Sequence, residues 1–399
     1  MGGIGSIREF GPTPAHSVRN NALSEQLPTP EAAMEQLLVS MSQFDASDLH
    51  LKVGYAPFYR IAGHLRKTHM PPLPDREYIR AMLAPYVPEV RKPVFESEGA
   101  LDFSAKGAGG DRYRVNMFRS IGEVHASIRR VKSKIPSFDE LNLPPVYSDA
   151  ISKNHDGLIL VSGVTGSGKS STLASMVDYI NQNRAVHIIT VEDPIEFLFR
   201  PKKSIVSQRE IGVDVPDFAQ ALRHVVRQDP DCILIGEMRD KETMGAALQA
   251  AETGHLVLGS LHVADVAQTF SRILEFFPRS EHEFIRSSLA NSLRAIFGQR
   301  LIPGVQEGTR FPATEVLLNN TVVKDKILHE HDDEIPAIVA QSGSDGMRTF
   351  TDSLVELIET DKIYYDTAME HAPSREALAS AVKGIKTASQ SLVGRGRSK

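Results

Sequence analysis

Residues 163–170 read Gly-Val-Thr-Gly-Ser-Gly-Lys-Ser, the spacing G-x-x-x-x-G-K-S. Glycines at these positions let backbone N–H groups turn inward around phosphate oxygens, where side chains would obstruct them. A lysine in this place reaches the β- and γ-phosphates, and the hydroxyl after it helps to hold Mg²⁺. A helix starting here adds its positive end to the same anion. The candidate nucleotide-binding residues are Gly163, Thr165, Gly166, Ser167, Gly168, Lys169, Ser170 and Ser171. The octet points to ATP with Mg²⁺, and by itself is compatible with a switch, a kinase or a motor.

Carboxylates come next. Val191-Glu192-Asp193-Pro194-Ile195-Glu196 places three of them within five residues at the end of an apolar stretch. Acids at the carboxyl end of a parallel strand face the crevice where such sheets bind ligands. Ile233-Leu234-Ile235-Gly236-Glu237 ends a second apolar stretch in a carboxylate. A P-loop ATPase uses such a group beside the metal's water shell and to activate the attacking water, so Glu237 is the candidate catalytic base. Ser170, Glu196 and Glu237 are the candidate metal-side groups. His255 and His262 bracket a further apolar stretch. Their spacing puts them on one strand or at its ends, and no cysteine or third ligand stands at the spacing a zinc site needs. Beside a nucleotide they are candidates to sense the γ-phosphate or to bridge subunits, His262 ahead of His255.

The elements that carry these residues alternate. Apolar stretches at 157–162, 186–191, 231–236 and 255–260 are separated by segments of helical composition. That alternation predicts a parallel sheet with helices on both faces, and the residues after about 275 read as mainly helical, including Ile285 to Phe297. Upstream, residues 31–41 space their apolar side chains at three and four, so they are helical. Short alternating stretches at 49–53, 58–61, 101–103, 113–118 and 126–131, interrupted by a helical segment near 76–95, read as an α+β domain. The domains expected are therefore a disordered extension (1–30), an α+β domain (31–135), a proline-rich linker (136–146), an α/β core with a helical C-terminal part (147–380) and a basic flexible tail (381–399).

Composition narrows the class. The 399 residues carry 45 basic and 50 acidic side chains, a formal charge of −5. No direct nucleic-acid partner is expected from that balance. One cysteine, Cys232, excludes internal disulfides and fits a reducing compartment. No apolar run approaches the ~20 residues that span a bilayer, and the N-terminus lacks a charged region followed by an apolar core. A cytoplasmic protein is expected, peripheral at any membrane it meets.

The four blocks in this order resemble the ATPases of the type II secretion and type IV pilus superfamily: P-loop (163–170), acidic box (192–196), carboxylate-ended strand (233–237) and histidine box (255–262). Supporting stretches are Ala46 to Leu51, Gln208 to Gly212, Arg272 to Pro278 and Gln299 to Pro303. Within the superfamily the chain is most similar to the pilus retraction motors, over roughly residues 31 to 380. Extension motors of the same superfamily carry a long extra N-terminal domain and a tetracysteine motif, and this chain has one cysteine. Two stretches depart from the retraction pattern: Val322 to His331 stands where the family has Ala-Ile-Arg-Asn-Leu-Ile-Arg-Glu-Gly-Lys, and Val263 stands where threonine is common.

The resemblance implies a RecA-like P-loop ATPase core joined to a PAS-like N-terminal domain, assembled as a homohexameric ring with nucleotide between the two domains. Carried over by motif, Glu196 and Glu237 match the family's essential glutamates and His255 and His262 its histidine pair. Arg114 and Arg129 match arginines that the N-terminal domain presents to the phosphates, where guanidinium groups stabilise charge developing on the γ-phosphate. It also implies an inner-membrane pilus platform protein and paralogous motor ATPases as partners, at the cytoplasmic face of that membrane. The function expected is ATP-driven pilus retraction. A DNA-translocation or secretion ATPase and an accessory ring subunit are the alternatives. A nucleotide kinase would need a lid and an acceptor pocket, which nothing in the sequence marks.

Overall fold

The computed structural model describes residues 27–384 apart from 62, 108–110 and 132–133. The expected N-terminal extension and C-terminal tail lie outside them but for a few residues. Contacts divide the chain into two units, Met1–Pro85 with Arg119–Ser127 and Tyr86–Phe118 with Ile128–Lys399.

The first unit opens with helix α1 (Pro30–Gln43), which has proline in its first turn and the Thr29 hydroxyl capping the Ala32 N–H. Ala33, Met34, Leu37, Leu38 and Met41 are buried from it, the three-and-four spacing read in the sequence. Strands β1 (Asp48–Leu51), β2 (Phe58–Ile61) and β3 (His64–Lys67) form an antiparallel meander. Helix α2 (Arg76–Leu83) follows, capped by Asp75.

The second unit begins with α3 (Lys92–Glu98) and the hairpin of β4 (Ala100–Lys106) and β5 (Arg112–Ser120). Its antiparallel register sets Ser104 opposite Arg114 and Lys106 opposite Arg112. Tyr113, Val115 and Met117 are buried from β5, so Arg112 and Arg114 share the other face. Strand β6 (Glu123–Val131) and helix α4 (Val146–Lys153) lead to the core.

The core runs β7 (Gly157–Ser162), α5 (Lys169–Asn183), β8 (His187–Glu192), β9 (Ile205–Glu210), α6 (Phe218–Val225), β10 (Cys232–Ile235), α7 (Lys241–Glu252), β11 (Leu256–Leu261), α8 (Val266–Glu275) and α9 (His282–Ser292). Strands β12 (Leu293–Pro303) and β13 (Arg310–Leu318) follow, then helices α10 (Thr321–Leu328), α11 (Ile335–Gln341), α12 (Phe350–Glu359), α13 (Tyr365–His371) and α14 (Arg375–Val382). The sheet order is β13-β12-β7-β11-β10-β8-β9. All neighbours are parallel except β12 and β13.

All six residues of β7 are buried, and they alternate between two cores. Leu158 and Leu160 pack with Val257, Ile233, Ala247 and Phe270 on one face. Ile159 and Val161 pack with Leu256, Leu234, Leu173 and Met176 on the other. Both faces are therefore covered, which is why these strands read as unbroken apolar runs instead of alternating ones.

The structure corrects the helical reading of Ile285 to Phe297. Helix α9 ends at Ser292, and β12 takes over at Leu293. Leu-Arg-Ala-Ile-Phe-Gly-Gln fits either period, because a short apolar run does not distinguish a buried helix from a buried strand. Pairing with β7 on one side and β13 on the other decides it. Strand β9 was likewise not foreseen.

Candidate functional site

The P-loop links the end of β7 to the start of α5, at the carboxyl edge of the parallel sheet. Gly168 caps the helix in a left-handed conformation, φ 92°. Gly163 is required by close approach: a Cβ there would lie 2.4 Å from Ser167 Oγ and 2.5 Å from the Gln299 carbonyl oxygen. The Lys169 ammonium donates to the carbonyls of Gly163 at 2.7 Å and Val164 at 3.1 Å, curling over the loop. Burial pulls its pKa down, and the charges of Glu237 and Glu196 work against that. Ser162 Oγ and Ser167 Oγ are buried with no partner among the described residues. Buried hydroxyls are ordinarily satisfied, so orphans beside inward-turned glycines are what a phosphate cradle provides. Thr165, Gly166 and Ser170 are exposed on the same loop, and Ser171 is half-buried.

Three further strand ends meet this loop. Glu237 follows β10; its Oε2 lies 2.6 Å from Arg239 Nη2 and 3.7 Å from His262 Nε2. Burial raises its pKa, against the pull of Arg239 and Lys169 and with the push of Asp193. His262 follows β11, and burial first, then Lys169 and Arg239, lower its pKa. That favours the neutral imidazole at pH 7. Ser260 Oγ donates to the Gly236 carbonyl at 2.6 Å and Met238 N–H to the Ser260 carbonyl at 3.0 Å, tying the Glu237 turn to the histidine strand.

The acidic box is not three equivalent acids. Glu192 is buried, and burial raises its pKa; it accepts from Thr190 Oγ1 at 2.6 Å, from Gln208 Nε2 at 3.3 Å and from the Glu196 N–H at 3.4 Å. It is the floor of the loop, while Asp193 and Glu196 are exposed. Glu196 lines a cavity of about 510 Å³ together with Arg114, Arg129, Arg130, Ser171 and Phe197. The two arginines carried over by resemblance thus stand across from the P-loop helix and the acidic box.

His255 does not join them. It precedes β11, whereas His262 follows that strand. Seven residues of extended chain span about 23 Å, so the two histidines stand at opposite edges of the sheet. His255 Nδ1 is engaged by the Ala250 carbonyl at 3.0 Å and by Thr253 Oγ1 at 3.2 Å. Its neighbours there are His155, Arg184 and Asp231. The candidate nucleotide role of His255 is corrected on this geometry to a helix-end contact.

Several residues of the site were not singled out from sequence. Gln299 on β12 accepts from Thr172 Oγ1 at 2.9 Å and presses its amide against Gly168, so it backs the loop. Gln208 and Glu210 on β9 hold the acidic box from the neighbouring strand. Their only signal was as parts of the resemblance, in the stretches Gln208 to Gly212 and Gln299 to Pro303.

A family model described as type II/IV secretion system protein matches residues 25–399. The chain belongs to this family. It is 39% identical to the type IV pilus retraction ATPase PilT of Pseudomonas aeruginosa over 337 residues, 84% of this chain and 97% of that protein. It is 36% identical to the type IV pilus ATPase PilU of the same organism, over 88% of this chain and 91% of PilU. Among solved structures, the pilus retraction motor PilT with bound ADP superposes with a TM-score of 0.80 at 39% identity, covering 86% of this chain and 98% of that one. The core of this secretion family member is accordingly a RecA-like P-loop ATPase fold, as the resemblance implied.

Proposed function

We propose that this chain is an ATP-hydrolysing motor subunit that powers type IV pilus retraction as a homohexamer. The observation that carries the reading is the convergence of Lys169, Glu237, His262 and Glu196 at one edge of the sheet, with Arg114 and Arg129 lining the adjoining cavity. The likeness to a retraction ATPase over nearly the whole length of both chains supplies the cargo.

ATP enters the cradle with its phosphates on the loop N–H groups, and Lys169 exchanges the Gly163 and Val164 carbonyls for phosphate oxygens. The oxygen donors around the loop, the exposed Ser170 hydroxyl and the carboxylates Glu196 and Glu237, are the hard ligand set that Mg²⁺ prefers. These residues would hold Mg²⁺, which when bound would supply positive charge to offset that on the transferred group. Glu237, with its carboxylate pKa raised by burial, orients the attacking water and accepts its proton. Neutral His262 beside it reports the γ-phosphate through a hydrogen bond, and Arg114 and Arg129 balance the charge that develops on transfer. In this reading residues 31–135 are a PAS-like domain, 136–146 its linker and 147–380 the motor core. Closing and reopening around ATP drives the inner-membrane platform protein from the cytoplasmic face.

Deletion in the native host tests the reading. Filaments that persist but no longer retract support it; normal retraction, with purified protein lacking ATP turnover, removes it. A second reading, an accessory ring subunit beside a paralogous motor, has the similarity to PilU behind it. The intact set Lys169, Glu196 and Glu237 favours turnover by this chain alone, which a purified ATPase assay without any paralogue measures directly.

A further inference from the structure

Glu210 ends β9 and is 3% exposed. Its Oε2 accepts from Ser104 Oγ at 2.9 Å, from the Arg112 guanidinium and from the Ile195 N–H at 3.3 Å. Its own N–H donates to Asp214 Oδ2 at 2.8 Å, which closes the turn after the strand. In that turn Gly212 has φ +75°, and a Cβ there would lie 1.8 Å from Arg91 Nη1. A buried carboxylate is tolerated only with good partners. Here the partners come from two strands of the N-terminal hairpin and from the acidic box.

Those partners are the neighbours of Arg114. Ser104 stands directly opposite Arg114 in the β4–β5 register, and Arg112 precedes it by two residues on the same face. On the other side of Glu210, Ile195 adjoins Glu196. The Arg114 side chain makes no hydrogen bond or ion pair among the described residues. Its placement is therefore set by its backbone and by what grips the two residues beside it.

We propose that Glu210 is a positioning residue for ATP hydrolysis: one buried carboxylate clamps the strand that carries Arg114 to the loop that carries Glu196. Movement of the acidic box during turnover passes through Glu210 to β5, so Arg114 and Glu196 shift together. This rests on the reading of Arg114 given above as a phosphate-facing residue.

The test is a double-mutant cycle on ATP turnover with purified protein, using Arg114→Ala, Glu210→Gln and the double variant, with melting temperature recorded for each. Glutamine keeps the shape but sets an amide against Arg112. The expected result is a 10- to 100-fold fall in kcat for Glu210→Gln, with less than a threefold further fall when Arg114→Ala is added. Ser104→Ala, which removes one neutral donor, serves if Glu210→Gln does not fold; a threefold fall in kcat at unchanged melting temperature is expected, again absent in the Arg114→Ala background. Losses that multiply in the double variant overturn the clamp, as does full turnover by Glu210→Gln. If Arg114→Ala alone turns over normally, the reading of Arg114 fails and the clamp with it.

Discussion

The two edges of the parallel sheet use the same residue types to opposite ends. At the amino edge three basic side chains are held by protein partners. Arg184 donates to the carbonyls of Ser152 and Asn154 at 3.1 and 3.0 Å and to that of Ile151. His187 is held by the carbonyls of Gln228 and Asp229 and by Ser207 Oγ, and His255 by Ala250 and Thr253. At the carboxyl edge groups are left in reserve. Two serine hydroxyls have no partner among the described residues, Lys169 is parked on its own loop carbonyls, and burial raises the Glu237 pKa. Saturated polar groups rigidify a fold, whereas unsatisfied or displaced ones mark where a ligand completes the structure. The two candidate histidines differ in the edge of the sheet on which they land, His255 before β11 and His262 after it.

Glu237→Gln is the sharpest way to break that contrast. It keeps shape and removes the base, so kcat for ATP hydrolysis should fall about 10²- to 10³-fold, with nucleotide affinity retained. Steady-state hydrolysis and nucleotide titration measure the two. Equal turnover by variant and wild type would falsify the assignment of the base.

Gly163→Ala attacks the cradle instead. The added methyl meets Ser167 Oγ and the Gln299 carbonyl inside 2.6 Å, and both residues are buried. Overpacking of this kind costs about 1–3 kcal/mol, and opening the loop to absorb it should weaken nucleotide binding at least tenfold. Unchanged affinity in a titration with ADP would show that the loop is looser than its contacts.

Much of the carboxyl edge was legible in the sequence because its chemistry is contiguous: eight residues for the P-loop, five for the acidic box, one carboxylate at the end of an apolar strand. Arg114 and Arg129 had no such signature. They are strand residues like many others, and only the family resemblance singled them out. Gln299 and Glu210 stood in stretches of the resemblance but were given no role, because the side-chain partners that define one lie over 80 residues away in the chain, Thr172 for Gln299 and Ser104 and Arg112 for Glu210. Strands β12 and β13 were missed because tertiary pairing, not local pattern, selects strand over helix at Leu293.

The histidine pair isolates the contrast between the edges. His262→Ala should lower kcat about tenfold with little effect on stability, since the ring is 41% exposed and faces Glu237 across 3.7 Å. His255→Ala should leave kcat within twofold and cost about 1 kcal/mol of stability for its lost hydrogen bond. Turnover and thermal melts on the two single variants separate these outcomes, and a catalytic defect in His255→Ala would undo the division between edges.

Glu315 on β13 extends the reserve at the carboxyl edge into the loop behind His262. Its Oε2 accepts from the Val266 N–H at 2.8 Å, at the start of α8, and burial pushes its pKa up to about 7. Asp265 adds to the rise and Arg300 opposes it. Because the folded carboxyl holds its proton to higher pH than the unfolded one, its contribution to stability is full below about pH 4.5. That contribution is lost as pH rises through about 7. The interval corresponds to roughly 3 kcal/mol. Glu315→Gln keeps an acceptor for Val266 and removes the titration. Its melting temperature should exceed that of the wild type at pH 8, with the gap closing as pH falls toward 5. A gap independent of pH would mean that Glu315 is ionised throughout, with Arg300 and the α8 terminus holding the charge, and the carboxyl edge would then be better compensated than the amino edge.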